Sequence, residues 1–134
     1  LDNVETRNCE KSDQLKYVLD NISDLVVKEV DGSGGYGMLI GPKSSKSEID
    51  IFKSKLSKNP NGYIAQPLID LSFTPTLIKN QVEGRRVDLR PFCLIGEKAQ
   101  LSSGGLTRVA MNEGSFVVNS SQGGGVKDTW VLAE

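Results

Sequence analysis

The stretch VVKEVDGSGGYGMLIGP, residues 26–42, decides how the rest of the chain is read. Gly32, Gly34 and Gly37 satisfy G-x-G-x-x-G, a spacing shared by dinucleotide fingerprints, phosphate-covering flaps and tight hairpin turns. A dinucleotide turn must run into a helix whose N-terminus faces the pyrophosphate. Here only Met38, Leu39 and Ile40 separate the glycines from Gly41-Pro42, a helix-breaking pair. Val26, Val27 and Val30 on the near side favour strand, so the unit reads strand, glycine loop, strand. The downstream carboxylates Glu48 and Asp50, which a ribose would need, fall in a segment with helical periodicity. Dinucleotide binding is therefore disfavoured. Without Cβ atoms the loop can turn several N–H groups toward one anion, and Lys28, four residues before Gly32, can reach the same oxygens. A flexible hairpin with Lys28 on a solvated face fits the loop composition equally well.

The 134 residues suffice for about one domain with its own core. Sixteen basic residues oppose seventeen acidic ones, and the basic residues are dispersed, which disfavours nucleic acid as a partner. No apolar run approaches the roughly 18–20 residues of a membrane span, and no charged-then-apolar leader opens the chain. A soluble, cytoplasmic protein without membrane contact is expected. The chain begins at Leu1 rather than Met, which suggests a piece of something longer. It contains no histidine, so Ser-His-Asp and Cys-His nucleophile pairs, H-E-x-x-H zinc sites and the kinase H-R-D loop are excluded. Cys9 and Cys93 are far apart in sequence and read as two reduced thiols, not a zinc site.

Ser12 is placed to cap a helix whose apolar residues Leu15, Val18, Leu19 and Ile22 form one stripe. Ser45 and Glu48 have capping-box spacing ahead of Ile49, Phe52 and Leu56, and that second helix stops before Asn59-Pro60-Asn61-Gly62. From Tyr63 the texture is extended: YIAQPLIDL, VDLRPFCLI, GLTRVAM and SFVVNSS, with turns at 96–98 and 112–114, read as an antiparallel meander. Gly123, Gly124 and Gly125 are expected to leave the sheet as a loop, and Trp130, beside Val131 and Leu132, to be a core or docking residue. The class is α+β: a glycine-loop hairpin with flanking helices, then the meander.

In RRVDLRPF, residues 85–92, alternation turns Val87 and Leu89 one way and Asp88 and Arg90 the other. Surface ion pairing explains this face adequately. Arg108 on another strand of the same meander adds a second guanidinium, and two arginines at a cleft suit a multiply charged anion. The NSSQGGG segment, residues 119–125, supplies side-chain donors followed by unhindered backbone, or else a linker. Tyr36 reads as a cover over a nucleotide or a lid-packing residue. Glu29 and Asp31 flank the loop and receive no role, since carboxylates repel phosphates unless a metal intervenes.

Taken in order, VVKEVDGSGGYGMLIGP, YIAQPLIDLS, VDLRPF, GGLTRVA and VVNSSQGGGVKDTWVL closely resemble the C-terminal part of the circularly permuted ATP-grasp proteins of type 2, related to glutathionylspermidine synthase-like enzymes. The resemblance covers nearly the whole chain. It implies an ATP-dependent ligase that joins a small-molecule or peptide carboxylate to an amine through an acyl phosphate. It implies Lys28 on the α- and β-phosphates under a flap of Gly34, Gly35 and Gly37, with Gln66, Leu68 and Ile69 passing the adenine. Pro67 stands where the family carries an acid. Arg90 and Arg108 would steady the γ-phosphate and the acyl phosphate, and Asn119, Ser120 and Ser121 would close over the substrate carboxylate. Residues 1–70 would carry helix, lid and adenine strand, and residues 71–134 the sheet with its arginines. The family's E-x-N magnesium motif has only the imitation Val117-Val118-Asn119 here, and valine cannot bind a hard cation. In the permuted family that motif lies earlier in the chain. Magnesium ligands are thus expected in the remainder of the ATP-grasp domain, and this chain is expected to be a fragment holding none. A nucleotide-binding or protein-interaction module without turnover is the alternative.

Overall fold

The stripe Leu15, Val18, Leu19 and Ile22 needs an apolar surface to cover, and the sheet beside it supplies one. In the computed structural model, which describes residues 3–132, the stripe lies on helix α1 (Ser12–Asn21) and the 3₁₀ turn Ile22–Asp24 that follows it. Strands β1 (Arg7–Asn8), β2 (Leu25–Glu29), β3 (Leu39–Ile40) and β4 (Tyr63–Pro67) form an antiparallel sheet in the order β1-β4-β2-β3. With helix α2 (Lys46–Lys58) they make up the first of two compact units, Leu1–Ile69; the second is Asp70–Glu134. Leu25 and Val27 on β2, Leu39 on β3 and Tyr63 and Ala65 on β4 bury against Val18, Ile22 and Leu56, with Leu15, Leu19, Ile49 and Phe52 packed around them. Each fully buried aliphatic side chain contributes about 1.5–3 kcal/mol relative to exposure. Phe52 meets Tyr63 edge-on at 6.4 Å, fixing α2 over β4.

The helix entries differ in chemistry. Ser12 is not the cap of α1 but its first residue; the N-cap is Lys11, whose side chain caps nothing. The entry is held instead by Asn8, whose side chain accepts from Glu10 N–H at 3.0 Å and whose own N–H donates to Gln14 Oε1 at 2.6 Å. α2 has the full reciprocal box: Glu48 N–H donates to Ser45 Oγ at 3.3 Å, and Ser45 N–H to Glu48 Oε2 at 2.7 Å. The side-chain and backbone bonds from Ser45 hold the Glu48 carboxyl below the usual glutamate range.

YIAQPLIDL does not belong to the meander. Its strand ends at Pro67, which has no N–H with which to extend a ladder, and it pairs with β1 and β2 because Tyr63 and Ala65 bury under the helices. In the second unit, β5 (Phe73–Ile78), β6 (Gln81–Ile95), β7 (Ala99–Ala110) and β8 (Gly124–Lys127) run antiparallel in chain order. β5 escapes sequence reading: Pro75 argues against strand but is tolerated on this edge, and the turn at Lys79-Asn80 lacks glycine, leaving Lys79 at φ 54°. SFVVNSS is not a strand, and of the three glycines only Gly123 lies outside the sheet, in the turn ahead of β8. Gly124 and Gly125 pair with Ala110 and Val109, while residues 115–119 lie outside the ladder with Val118 buried. A Cβ on Gly124 would overlap the Val118 carbonyl, so only glycine lets the returning strand pass there. Trp130 is 85% exposed and belongs to no core.

Edge strands β5 and β8 are tied across the sheet. Lys127 Nζ donates to the Pro75 carbonyl and, at 3.3 Å, to Thr76 Oγ1, so the sheet curls toward the face bearing buried Thr76, Arg85 and Val109. Arg85 is satisfied there by the carbonyls of Met111 and Gly84, each at 3.1 Å, and by Glu83 at 2.6 Å. Cys9 and Cys93 are free thiols, and burial pushes the Cys9 thiol up and keeps it protonated. No helix among the described residues is long and apolar enough to cross a membrane.

Because the Glu48 value is depressed on folding, its stabilisation of α2 is present above the ordinary range near about pH 4.3 and is lost as pH falls through the lowered value. Hydrogen exchange should show the first turn of α2 losing protection on acidification. Glu48→Ala should remove that pH dependence. Gly124→Ala should cost about 1–3 kcal/mol in denaturant unfolding, because the Val118 segment must move to admit the methyl.

Candidate functional site

Alternation along β2 sends Lys28 to the sheet face opposite the helices, together with Val26, Ile64 and Gln66. Lys28 pairs with Ile64 and Val26 with Gln66, so Lys28 and Gln66 are diagonal neighbours. The ammonium donates to Gln66 Oε1 at 2.7 Å. Gln66 Nε2 in turn donates to Thr6 Oγ1 at 2.8 Å, and the Thr6 hydroxyl donates to the Val4 carbonyl at 3.0 Å. Sequence reasoning singled out Lys28 and Gln66 separately; it had no signal for Thr6, which lies ahead of β1 in no motif. Leu68 and Ile69 fall just past the end of β4, Leu68 half-buried and Ile69 exposed.

Beyond β2 the chain enters the glycine loop. Gly34, Gly35 and Gly37 have φ of 70°, 77° and 68°, the left-handed region that other residues enter at a cost. Gly32 N–H donates to Glu29 O and Tyr36 N–H to Ser33 O, both at 3.3 Å, folding the loop into two successive turns. Glu29, given no role from sequence, lies under the loop. A Cβ on Gly37 would sit 2.8 Å from its carboxylate, which accepts from Tyr63 OH at 3.4 Å. Burial first, then the Glu29 charge and hydrogen bond, raise the Tyr63 phenol, so it stays protonated and donating. Glu29 pairs with Tyr63 on the helix-side face, opposite Lys28, and leaves the ammonium's charge uncancelled.

In the second unit Asp88 and Arg108 are directly opposite on β6 and β7 and form a forked pair: Arg108 Nε to Asp88 Oδ1 at 2.9 Å, with Nη2 on Oδ2. The Asp88 hydrogen bonds raise the Arg108 value further above its already high range. Arg90, two residues along the same face and opposite Leu106, is exposed. Arg86, which sequence reasoning passed over, occupies this face too. Its guanidinium lies over the rings of Phe116 at 3.8 Å and Phe73 at 4.7 Å, and its Nε and Nη2 bind Asp70 Oδ1 at 3.1 and 2.9 Å. The alternation that placed Asp88 and Arg90 together could have included it. Asn119 caps the 3₁₀ turn Ser120–Gln122. The backbone in this segment is not unhindered as expected: Gln122 and Gly124 N–H both bond the Asn119 carbonyl at 3.0 Å, and Gly123 N–H bonds that of Ser120 at 3.2 Å. Ser120 and Ser121 are exposed. Among the described residues no three acidic or thiol side chains gather to hold a cation.

Known proteins resemble this chain over nearly its whole length. An uncharacterised protein of Synechocystis sp. is 55% identical over 133 residues, covering 98% of this chain and 28% of its own length. An uncharacterised protein of Mycobacterium tuberculosis is 52% identical over 134 residues, 99% of this chain and 24% of its own. A Frankia casuarinae protein provisionally named glutamate–cysteine ligase 2-2 is 44% identical over 131 residues, 98% of this chain and 15% of its own. The chain thus spans about a quarter of the length of the first two. The family model described as circularly permuted ATP-grasp type 2 matches residues 1–110, a span that includes Lys28, the glycine flap, Gln66, Arg90 and Arg108. The chain belongs to the circularly permuted ATP-grasp type 2 family.

Proposed function

We propose that the protein carrying this chain is an ATP-dependent ligase that joins a carboxylate to an amine, and that this segment supplies the phosphate lid and the substrate-side arginines. The observation that carries the reading is the ammonium of Lys28 on the strand that leads into three left-handed glycines. In this chemistry a carboxylate oxygen attacks the γ-phosphorus of ATP, giving an acyl phosphate and ADP. The amine nitrogen then attacks the acyl carbon, inorganic phosphate leaves with the C–O bonding pair, and loss of a proton from nitrogen yields the amide. Such phosphoryl transfer asks mainly for positioning and charge neutralisation, which suits lysine, arginine and backbone amides and requires no histidine.

Lys28 and the amides of Gly34, Gly35 and Gly37 would hold the α- and β-phosphates. The chain from Gln66 through Leu68 and Ile69 would line the adenine with backbone groups. Arg90 and Arg108 would meet the γ-phosphate and the acyl phosphate, Arg108 with its plane already set by Asp88. Asn119, Ser120 and Ser121 would donate to the substrate carboxylate. Magnesium would neutralise the polyphosphate in this chemistry, with its ligands outside this chain. The name of the Frankia relative, a glutamate–cysteine ligase, describes a carboxylate and an amine being joined and supports the class of reaction. A cytoplasmic setting, where ATP is abundant, suits it.

Full-length protein offered a panel of acids and amines should release ADP in a carboxylate-dependent manner, with an amide product identified by mass; ATP turnover independent of any acid would overturn the ligase reading. Lys28→Ala should weaken ATP binding by about 2–5 kcal/mol, and retention of affinity within about twofold would remove Lys28 from the phosphates. Arg90→Ala should lower kcat on the order of 100-fold, as loss of a donor to a developing charge does. Residues 1–134 alone should bind nucleotide weakly and ligate nothing.

A further inference from the structure

We infer that Gln66 is a positioning residue whose neutral side-chain oxygen holds the Lys28 ammonium in place without cancelling its charge, and that Thr6 steadies the orientation of the Gln66 amide. The inference rests on the reading that Lys28 meets a polyphosphate, and it adds what holds the lysine for that contact. A carboxylate at this position would bind the ammonium more tightly but would neutralise it and repel an incoming phosphate. A carbonyl oxygen accepts one of the three ammonium protons and leaves two donors, with the full positive charge, for an anion.

An amide has two ends, and only one can face a cation. The lysine can only donate, so Oε1 must face it, and Thr6 holds the amide in that direction from its other end. The Thr6 hydroxyl proton goes to the Val4 carbonyl, so its oxygen is left as an acceptor, and the Gln66 NH₂ is the donor that fills it. The other end of the amide, Oε1, thereby stays turned to Lys28 Nζ at 2.7 Å. The relay runs across the sheet from β2 through β4 to the residue just ahead of β1, and every bond in it has one possible polarity. Lysine on a flexible stem loses rotamer freedom when it meets an anion. Here part of that freedom is removed in advance, which lowers the cost of binding. The nearby acid on β2, Glu29, is on the opposite face with Tyr63 and offers the ammonium no competing charge.

The test compares ATP with adenosine in the full-length protein by calorimetry, since adenosine lacks the phosphates. Gln66→Glu keeps the length, the strand and a hydrogen bond to Lys28. Because the added carboxylate would by itself oppose the phosphates, this variant tests the neutrality of the partner, and Thr6→Val, which adds no charge, tests the positioning. The inference expects ATP affinity to fall by at least about tenfold, with adenosine affinity within about twofold and the salt dependence of ATP binding reduced. Thr6→Val, at an exposed position, removes the orienting oxygen with little change of shape and should produce a severalfold loss for ATP alone. If Lys28→Ala weakens ATP binding but both Gln66→Glu and Thr6→Val bind ATP within about twofold of the parent, the inference is overturned and the phosphate reading stands. If Lys28→Ala itself binds ATP unchanged, the phosphate reading falls and the inference with it.

Discussion

A pleated strand gives successive residues opposite destinations, and in β2 that constraint organises the first unit. Val27 goes into the helices, Lys28 goes to the far face, and Glu29 returns under the glycine loop. Three consecutive positions thus become an anchor in the core, a cation and a prop for the loop. Slipping the register by one residue would bury the lysine under α1 and α2 and expose the valine, an arrangement costing several kcal/mol on the burial terms alone. The fully buried Val27 and Ala65, cross-strand partners, make that slip prohibitive.

The second unit uses polar contacts where the first uses apolar ones. Its curl is set by Lys127 spanning from β8 to β5 and by the satisfied guanidinium of Arg85 beneath. On the other face arginines are organised by partners of different kinds: Arg108 by a carboxylate across the ladder, Arg86 by two aromatic rings and Asp70. Planar guanidinium accepts both arrangements, over a ring or forked, and a lysine would satisfy neither as well.

Much of this was legible in the residues. The capping box of α2 and the strand–loop–strand reading of residues 26–42 followed from spacing and glycine placement, and the family from the resemblance of five motifs taken in order. What was misplaced has physical causes. The strand from Tyr63 was joined to the wrong sheet because an alternating apolar pattern says that a face is buried, not by what. β5 was passed over because Pro75 opposes a central strand but not an edge. Gly124 and Gly125 read as a loop because composition cannot reveal that Gly124 must pass beneath a carbonyl, a demand visible only once Val118 is in place. For the site, sequence could nominate Lys28, Gln66 and the arginines, but the bonds that orient them, through Thr6 and Asp88, depend on register across strands that no single segment encodes.

The forked Asp88–Arg108 pair has a bearing on what its face of the sheet can attract. Two guanidiniums and one carboxylate, from Arg90, Arg108 and Asp88, sum to a single positive charge, so the cluster exerts less long-range pull on anions than two arginines suggest. At short range the two guanidiniums differ: the Arg108 plane is held by Asp88 across the ladder, whereas Arg90 is exposed.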